Sequence, residues 1–321
     1  MFEITFLGTS ASAPSVHRGL PAQVIAYNEY RFLVDCGEGT QRQILQSGLG
    51  FKRLDRILIT HGHLDHILGL AGLVSTFLRW ETIDHLEIWA GRWALERIHD
   101  LLYDIVLKGT RTPFPLQLKE IKPGVMLEDD SFSLTAFPVE HRGSDSFGFA
   151  FAEKSHRPFL VEQAAALGVP AGPIRRDLVA GATVTLADGR RVGPEDVLGP
   201  PLAGTRLVHV GDCGDSQSLV EVARGADALV IEATYLEEEA GMARDFGHLT
   251  AAQSARLARD AGVKQLYLTH VSRRYRERDI LEEAQRIFPA TVVARDFDHY
   301  TVTKDKEKER DAAREKRGGM A

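Results

Sequence analysis

Short apolar runs closed by Gly, Asn or Asp follow one another through the first sixty positions. "EITFLG", "AQVIAY", "YRFLVDCG" and "DRILITH" have the β-branched and aromatic density of strands. The spacing then lengthens. "TQRQILQSG" predicts a first helix with Gly48 near its end, "HILGLAGLVSTFLRW" a mostly buried helix, and "RWALERIHDLLYDIV" a further helix. Strands return at "LEIWA", "SFSLTAFPV", "SFGFAFAE", "RLVHVGD", "DALVIEAT", "QLYLTH" and "ATVVARD". Helices are expected at "DSQSLVEVARG", "LTAAQSARLARDAG" and "RERDILEEAQRIF", with Asp215 and Thr250 as N-caps and Gly262 as a C-cap. Several strands end alike: "LITH", "LVHVGD" and "LYLTH" each deliver a His or Asp at one end, which is how a rigid scaffold lines a site.

Two passages break the rhythm. Residues 154–205 are rich in Gly and Pro and show little apolar periodicity; an insertion of that length in a compact domain is usually functional or mobile. The tail 304–321, "KDKEKERDAAREKRGGMA", is charged and lacks core residues, and reads as a frayed helix or disorder. The chain shows no sequence repeat of 20 to 50 residues.

Composition narrows the class. Hydrophobic residues at 44% and charged residues at 26% are those of a soluble globular protein, and no apolar run is long enough for a membrane span. "MFEITFLGTSAS" lacks a basic n-region, which argues against a secretory leader. Cys36 and Cys213 are too few for a disulfide framework, so a reducing cytoplasm is the expectation. A net charge of −6 weighs against a polyanionic partner for the chain as a whole, yet leaves room for a local basic surface.

The chemistry concentrates in "LITHGHLDHILGL". His61, His63, Asp65 and His66 fall within six positions directly after an apolar run. A solvated turn does not favour histidine so heavily, and a buried cluster must satisfy every ring nitrogen. Neutral imidazole and carboxylate are ligands of zinc and its neighbours, so a cation among them is the better reading. Four ligands leave a two-metal site incomplete, and His141, Asp212 and His270 stand at strand ends as the candidates to complete it. Alone, each of these three would pass as a turn or surface residue. His85, His99, His156 and His299 are read as surface or packing residues.

With those residues in view, the chain resembles the metallo-β-lactamase-fold hydrolases. Within that fold it resembles the ribonuclease Z family, endonucleases that remove 3′ trailers from precursor tRNA. The resemblance runs from "FLGTSASAP" to "ARDF" and rests on H-x-H-x-D-H, "VDCGEGTQRQ", "LVIEATY" with a later "GHLTAAQSA", and "LTHVSRRY". "LGVPAGPIRRDL" with "VLGPPLAG" is similar to the Gly-Pro arm with which that family grips the tRNA elbow. There are departures. The family usually reads "THLHGDH" where this chain has "THGHLDH", and "GDTRP" where this chain has "GDCGDS", which removes Thr and Arg from beside the metal site.

The resemblance implies an α/β fold, a four-layer αββα sandwich forming one hydrolase domain over 1–303, with 154–205 as an inserted tRNA-binding arm. It implies two zinc ions per chain, with manganese as a substitute. His61, His63, His141 and Asp212 would hold one ion; Asp65, His66, His270 and the same Asp212 the other. Paired ions supply a nucleophile at neutral pH and stabilise charge on the attacked phosphate. Asp65, His248 and Glu232 form the implied catalytic set, with His248 as the acid for the leaving 3′ oxygen and Glu232 holding its ring. Arg273, Arg274 and Tyr275 after His270, and Gly172, Pro173, Arg175 and Arg176 in the arm, are the implied substrate contacts, with Arg190 and Arg191 nearby. A homodimer is the family's common form.

Three other readings stay open. A hydrolase of the same fold acting on a small phosphodiester, ester or lactone shares the ligands, and "GDCGDS" favours it. A two-iron redox protein would usually need a flavin domain, which these residues do not offer. An inactive RNA-binding module conflicts with the full ligand set.

Overall fold

The computed structural model describes residues 1–80, 83–142 and 145–304. The tail expected from 304 onward therefore lies, apart from Lys304, outside the described residues. Two compact units are present, Met1–Ala152 with Thr205 onward, and Glu153–Gly204.

The larger unit is an α/β sandwich of two seven-stranded sheets. Its first sheet contains β1 (Phe2–Gly8), β2 (Ala22–Tyr27), β3 (Tyr30–Val34), β4 (Arg56–Leu58), β5 (Leu86–Ala90) and β6 (Leu116–Glu120). Strands β1 to β3 pair as an antiparallel meander, and β3 to β6 run parallel. The second sheet contains β7 (Gly124–Glu128), β8 (Phe132–Val139) and β9 (Ser146–Glu153). In the smaller unit, β10 (Val184–Thr185) and β11 (Arg191–Val192) pair by themselves. The second sheet resumes with β12 (Arg206–His209), β13 (Ala228–Glu232), β14 (Leu266–Thr269) and β15 (Thr291–Val293), all four parallel. Finally β16 (His299–Val302) returns to pair with β1 in the first sheet.

Period-two burial makes the layers. Along β13, Ala228 and Val230 join the cluster between the sheets, with Phe6, Phe32, Phe149 and Phe151, while Leu229 and Ile231 face helices on the outside. Those helices are cut to fit. Gly69–Trp80 buries Leu70, Leu73, Val74 and Phe77, the i, i+3, i+4, i+7 stripe. Ala251–Asp260 opens on Thr250, whose side chain accepts from Gln253 N–H in a capping box, and Gly262 follows its end at φ 65°. Asp215, expected as an N-cap, lies one residue before the N-cap Ser216 and accepts from the N–H groups of Gln217 and Ser218. The helix expected there is a 3₁₀ turn, Gln217–Leu219, followed by a short α-helix, Val220–Ala223.

Three features depart from the sequence reading. The single helix expected over "RWALERIHDLLYDIV" is an α-helix, Arg92–His99, continued by a π-helix, Asp100–Leu107. Apolar spacing cannot separate a 3.6-residue from a wider turn over so short a run. Strands β6, β7 and β16 were not anticipated, because their sparse apolar residues are mostly half-exposed. The Gly/Pro-rich passage is also not structureless. Within Glu153–Gly204, Ala164, Val169, Leu178, Val184, Leu186, Val192, Val197 and Leu198 bury one another. Its helices are only four to seven residues long, too short to print a period.

Candidate metal centre

Strands of both sheets end where the titratable residues begin. His61 and His63 follow β4, and Asp65 and His66 lie in the one-turn helix Leu64–Ile67. His141 follows β8, Asp212 follows β12, and His270 follows β14 at φ 53°. The larger unit thereby gathers all seven into two adjoining groups.

In the first group, His63 Nδ1 stands 3.0 Å from His61 Nε2 and 3.3 Å from His141 Nε2. Asp212 Oδ2 lies 3.7 Å from His61 Nε2 and 3.9 Å from His141 Nε2. In the second, Asp65 Oδ2 is 3.7 Å from His66 Nε2 and 3.6 Å from His270 Nε2. Asp212 Oδ1 completes it, 3.5 Å from His66 Nε2 and 3.3 Å from His270 Nε2. The two oxygens of one carboxylate thus face different groups.

The carboxylate–imidazole separations, 3.3–3.9 Å, suit a shared ion better than hydrogen bonds. Ligand atoms bound tetrahedrally to one zinc stand roughly 3.4 Å apart, given the usual bond lengths. His66 Nε2, His270 Nε2 and Asp212 Oδ1 are buried without any hydrogen-bond partner, a costly arrangement for a protein alone. Charge agrees. Burial, followed by neighbouring rings, pushes His61 well below its ordinary pKa; burial lowers His63 and His141 as well, so all three are neutral at pH 7. Burial opposes the charged form of His66 too, but Asp35, Asp212 and Asp65 outweigh it and pull that ring well above its ordinary value. The same carboxylates would stabilise a divalent cation. The donor set fits two zinc-like ions.

His248 stands beside this cluster. Its Nδ1 is 2.9 Å from Glu232 Oε1 and 3.9 Å from Asp212 Oδ2, and its ring lies 5.4 Å from that of His270. Burial disfavours the charged ring, yet Glu232, with Asp212 and Asp65 beyond, raises its pKa to about 9. With Nδ1 engaged, Nε2 carries the proton that can be given away.

The chain from Tyr30 to Val271 matches the model of the beta-lactamase superfamily domain. A ribonuclease Z from Bradyrhizobium sp. is 50% identical over 302 residues, covering 94% of this chain and 100% of that one. The chain belongs to the ribonuclease Z family. A ribonuclease Z from Archaeoglobus fulgidus is 39% identical, covering 95% of this chain and 99% of that one. Human tRNase Z, short form, superposes with a TM-score of 0.67 at 26% identity, covering 94% of this chain and 99% of that one.

The departures from the ribonuclease Z pattern have local causes. A Cβ at Gly62 would lie 2.9 Å from both Ala94 Cα and the Trp93 ring, while position 64, where this chain has Leu, is half exposed. The exchange of spacers makes room for the helix carrying Trp93, whose ring meets that of His63 edge-on. Gly62→Leu, which restores the usual family residue, should therefore lower stability by about 1–3 kcal/mol through overpacking. Thermal melting checks this, and Trp93→Ala in the same chain should recover part of the loss. In "GDCGDS", Cys213 is buried and acts through its main chain, its N–H donating to Glu232 Oε1 at 2.7 Å. Any residue except proline supplies that donor.

The expected substrate contacts are less uniform. Arg273 is exposed, Arg274 pairs with Glu239 at 2.6 Å, and Tyr275 packs against the core under the second sheet. In the smaller unit Gly172, Pro173 and Arg176 are exposed. Arg175 instead donates to the Val169 and Pro170 carbonyls and lies over Phe159, shaping its own loop. Arg190 pairs with Asp188 at 2.7 Å, and Arg191 is exposed.

Sequence reasoning missed the residues behind the cluster. Asp35 accepts from Thr60 N–H and from His66 Nδ1, each at 2.8 Å. Ser12 N–H donates to Asp65 Oδ2 at 3.0 Å from a left-handed backbone, φ 58°. His209, three positions before Asp212 in "LVHVGD", turns away and bonds Gln23 at 2.9 Å. Only the repeated strand-end pattern hinted at any of these.

Proposed function

We propose that this ribonuclease Z family member is a zinc-dependent endoribonuclease that removes 3′ trailers from precursor tRNA, leaving a 3′-hydroxyl on the tRNA and a 5′-phosphate on the trailer. The observation that carries the reading is Asp212, one oxygen toward each ligand group, with the Glu232–His248 pair directly beside it. Two zinc ions per chain, or manganese in their place, would be held by His61, His63, His141 and Asp212, and by Asp65, His66, His270 and Asp212. When bound, such ions acidify a water for attack and offset charge on the phosphate.

The chain's own groups do the rest. Asp212 and Asp65 balance the positive charge. Glu232 keeps His248 protonated and turns its Nε2–H outward, so that the departing 3′ oxygen, a poor leaving group, receives a proton as its bond to phosphorus breaks. Residues 154–205 serve as the arm that grips tRNA, with Gly172, Pro173 and Arg176 at its exposed face and Arg175 bracing the loop. Arg273 and Arg274 meet phosphates nearer the cut. The enzyme acts as a homodimer in the cytoplasm. No helix among the described residues is long and apolar enough to cross a membrane.

Cleavage of end-labelled precursor tRNA tests the reading. A single cut at the base of the acceptor stem, lost in Asp65→Ala, supports it. Hydrolysis of a small phosphodiester by zinc-loaded protein that leaves the tRNA intact would assign the site to the other hydrolase class. Because Glu153–Gly204 carries its own apolar cluster, the informative deletion removes that whole unit. We expect it to raise KM for tRNA by on the order of tenfold or more and to flatten the salt dependence of binding, since phosphate contacts are lost. Steady-state kinetics at two salt concentrations decide it. An unchanged KM and salt slope would remove the arm from recognition.

A further inference from the structure

Two buried carboxylates hold the rings around this centre by the same device. Asp35 takes His66 Nδ1 directly at 2.8 Å and the Thr60 hydroxyl at 2.9 Å, and Thr60 Oγ1 stands 3.0 Å from His61 Nδ1. Glu232 takes His248 Nδ1 directly at 2.9 Å and the Thr234 hydroxyl through a short bond, and Thr234 Oγ1 stands 2.9 Å from His270 Nδ1. Each carboxylate thus grips one ring itself and a second through a threonine.

The connectivity differs between the two. Asp35 follows β3 while Thr60 and His61 follow β4; Glu232 ends β13 and Thr234 follows it, while His270 follows β14. The arrangement therefore answers a chemical need and does not simply repeat a stretch of sequence.

Hydrogen counting gives the need. His270 Nε2 is buried, unpartnered and turned into the cluster, so to act as a ligand it must be bare and Nδ1 must carry the proton. That proton goes to Thr234 Oγ1, and the threonine proton goes on to Glu232. The His270 carbonyl, 3.1 Å from Thr234 Oγ1, is the other acceptor in reach, but an ionised carboxylate is the stronger.

We propose that Thr234 is a positioning residue: its hydroxyl locks His270 in the tautomer with a bare Nε2 and, through Glu232, ties that ring to His248. The inference rests on the metal reading above and adds to it a residue that touches neither ion nor substrate.

Thr234→Val keeps the volume and removes the hydroxyl; Thr234→Ser does the reverse. Zinc affinity, measured by competition with a chromophoric chelator, should fall 10–100-fold in Thr234→Val and stay near wild type in Thr234→Ser. Thr234→Ala should show the same loss and stands in if the valine variant does not fold. The kcat effects of Thr234→Val and His248→Ala should combine less than multiplicatively, because both act through Glu232. Valine binding zinc as wild type does, with serine weakened, would mean that the side chain only packs, and would overturn the proposal while sparing the metal reading. A wild type that takes up no zinc would overturn both.

Discussion

Asp212→Ala should end cleavage, lowering kcat by on the order of 10³-fold or more, since the several kcal/mol of phosphate-charge stabilisation that ions provide goes with them. The expectation follows from the geometry of one side chain. Asp212 Oδ2 faces His61 and His141, and Oδ1 faces His66 and His270, all within 3.3–3.9 Å. Its carboxyl is buried, which alone would favour the neutral acid, but the rings of His270, His66 and His61 hold its pKa well below the ordinary range. It is ionised when the ligands assemble. Asp65 faces only the second group, so the two variants should differ in metal content as well as in rate. Zinc counted by plasma emission should fall below one per chain in Asp212→Ala and stay near one in Asp65→Ala. Two ions retained in Asp212→Ala would refute the bridge.

The second large effect belongs to His248, and it should depend on the leaving group. On precursor tRNA, His248→Ala should lose about 10²–10⁴-fold in kcat, the usual worth of a positioned general acid. On a p-nitrophenyl phosphodiester, whose leaving group departs without a proton, the loss should nearly vanish. Glu232→Gln should follow the same pattern more mildly and change the pH profile. His248, held near pH 9 largely by Glu232, must be protonated to act; without that carboxylate its pKa falls, so the alkaline limb should move to lower pH. Equal losses on both substrates would show His248 serving the metal site instead of the leaving oxygen.

How much of this the sequence reveals depends on distance along the chain. His61, His63, Asp65 and His66 are crowded into six positions, and no polar turn explains that crowding. His141, Asp212 and His270 are visible only as strand-end residues. Asp35 and Thr60 lie 25 positions apart, and Thr234 and His270 lie 36 apart. Their bonds depend on which strands run side by side, which spacing does not encode. The four layers follow from the family resemblance, while the buried faces of strands as apolar as β13 and helices as striped as Gly69–Trp80 are legible in the pattern itself. The core of Glu153–Gly204 is not, because its apolar residues are spread over helices and a hairpin too short to show a period.

The strands that deliver the ligands come from both sheets. His61 and His63 leave the first, His141, Asp212 and His270 leave the second, and each ligand group draws on both. Between the sheets the aromatic interior welds the sandwich shut. At the site's edge the join is made of rings and carboxylates instead. An ion in either group would therefore be a rivet across a seam, and a chelator should do more than silence the chemistry: it should unfasten that edge while the interior still holds. The ease with which the seam opens to exchange or proteolysis then becomes a gauge of how fully the enzyme is loaded.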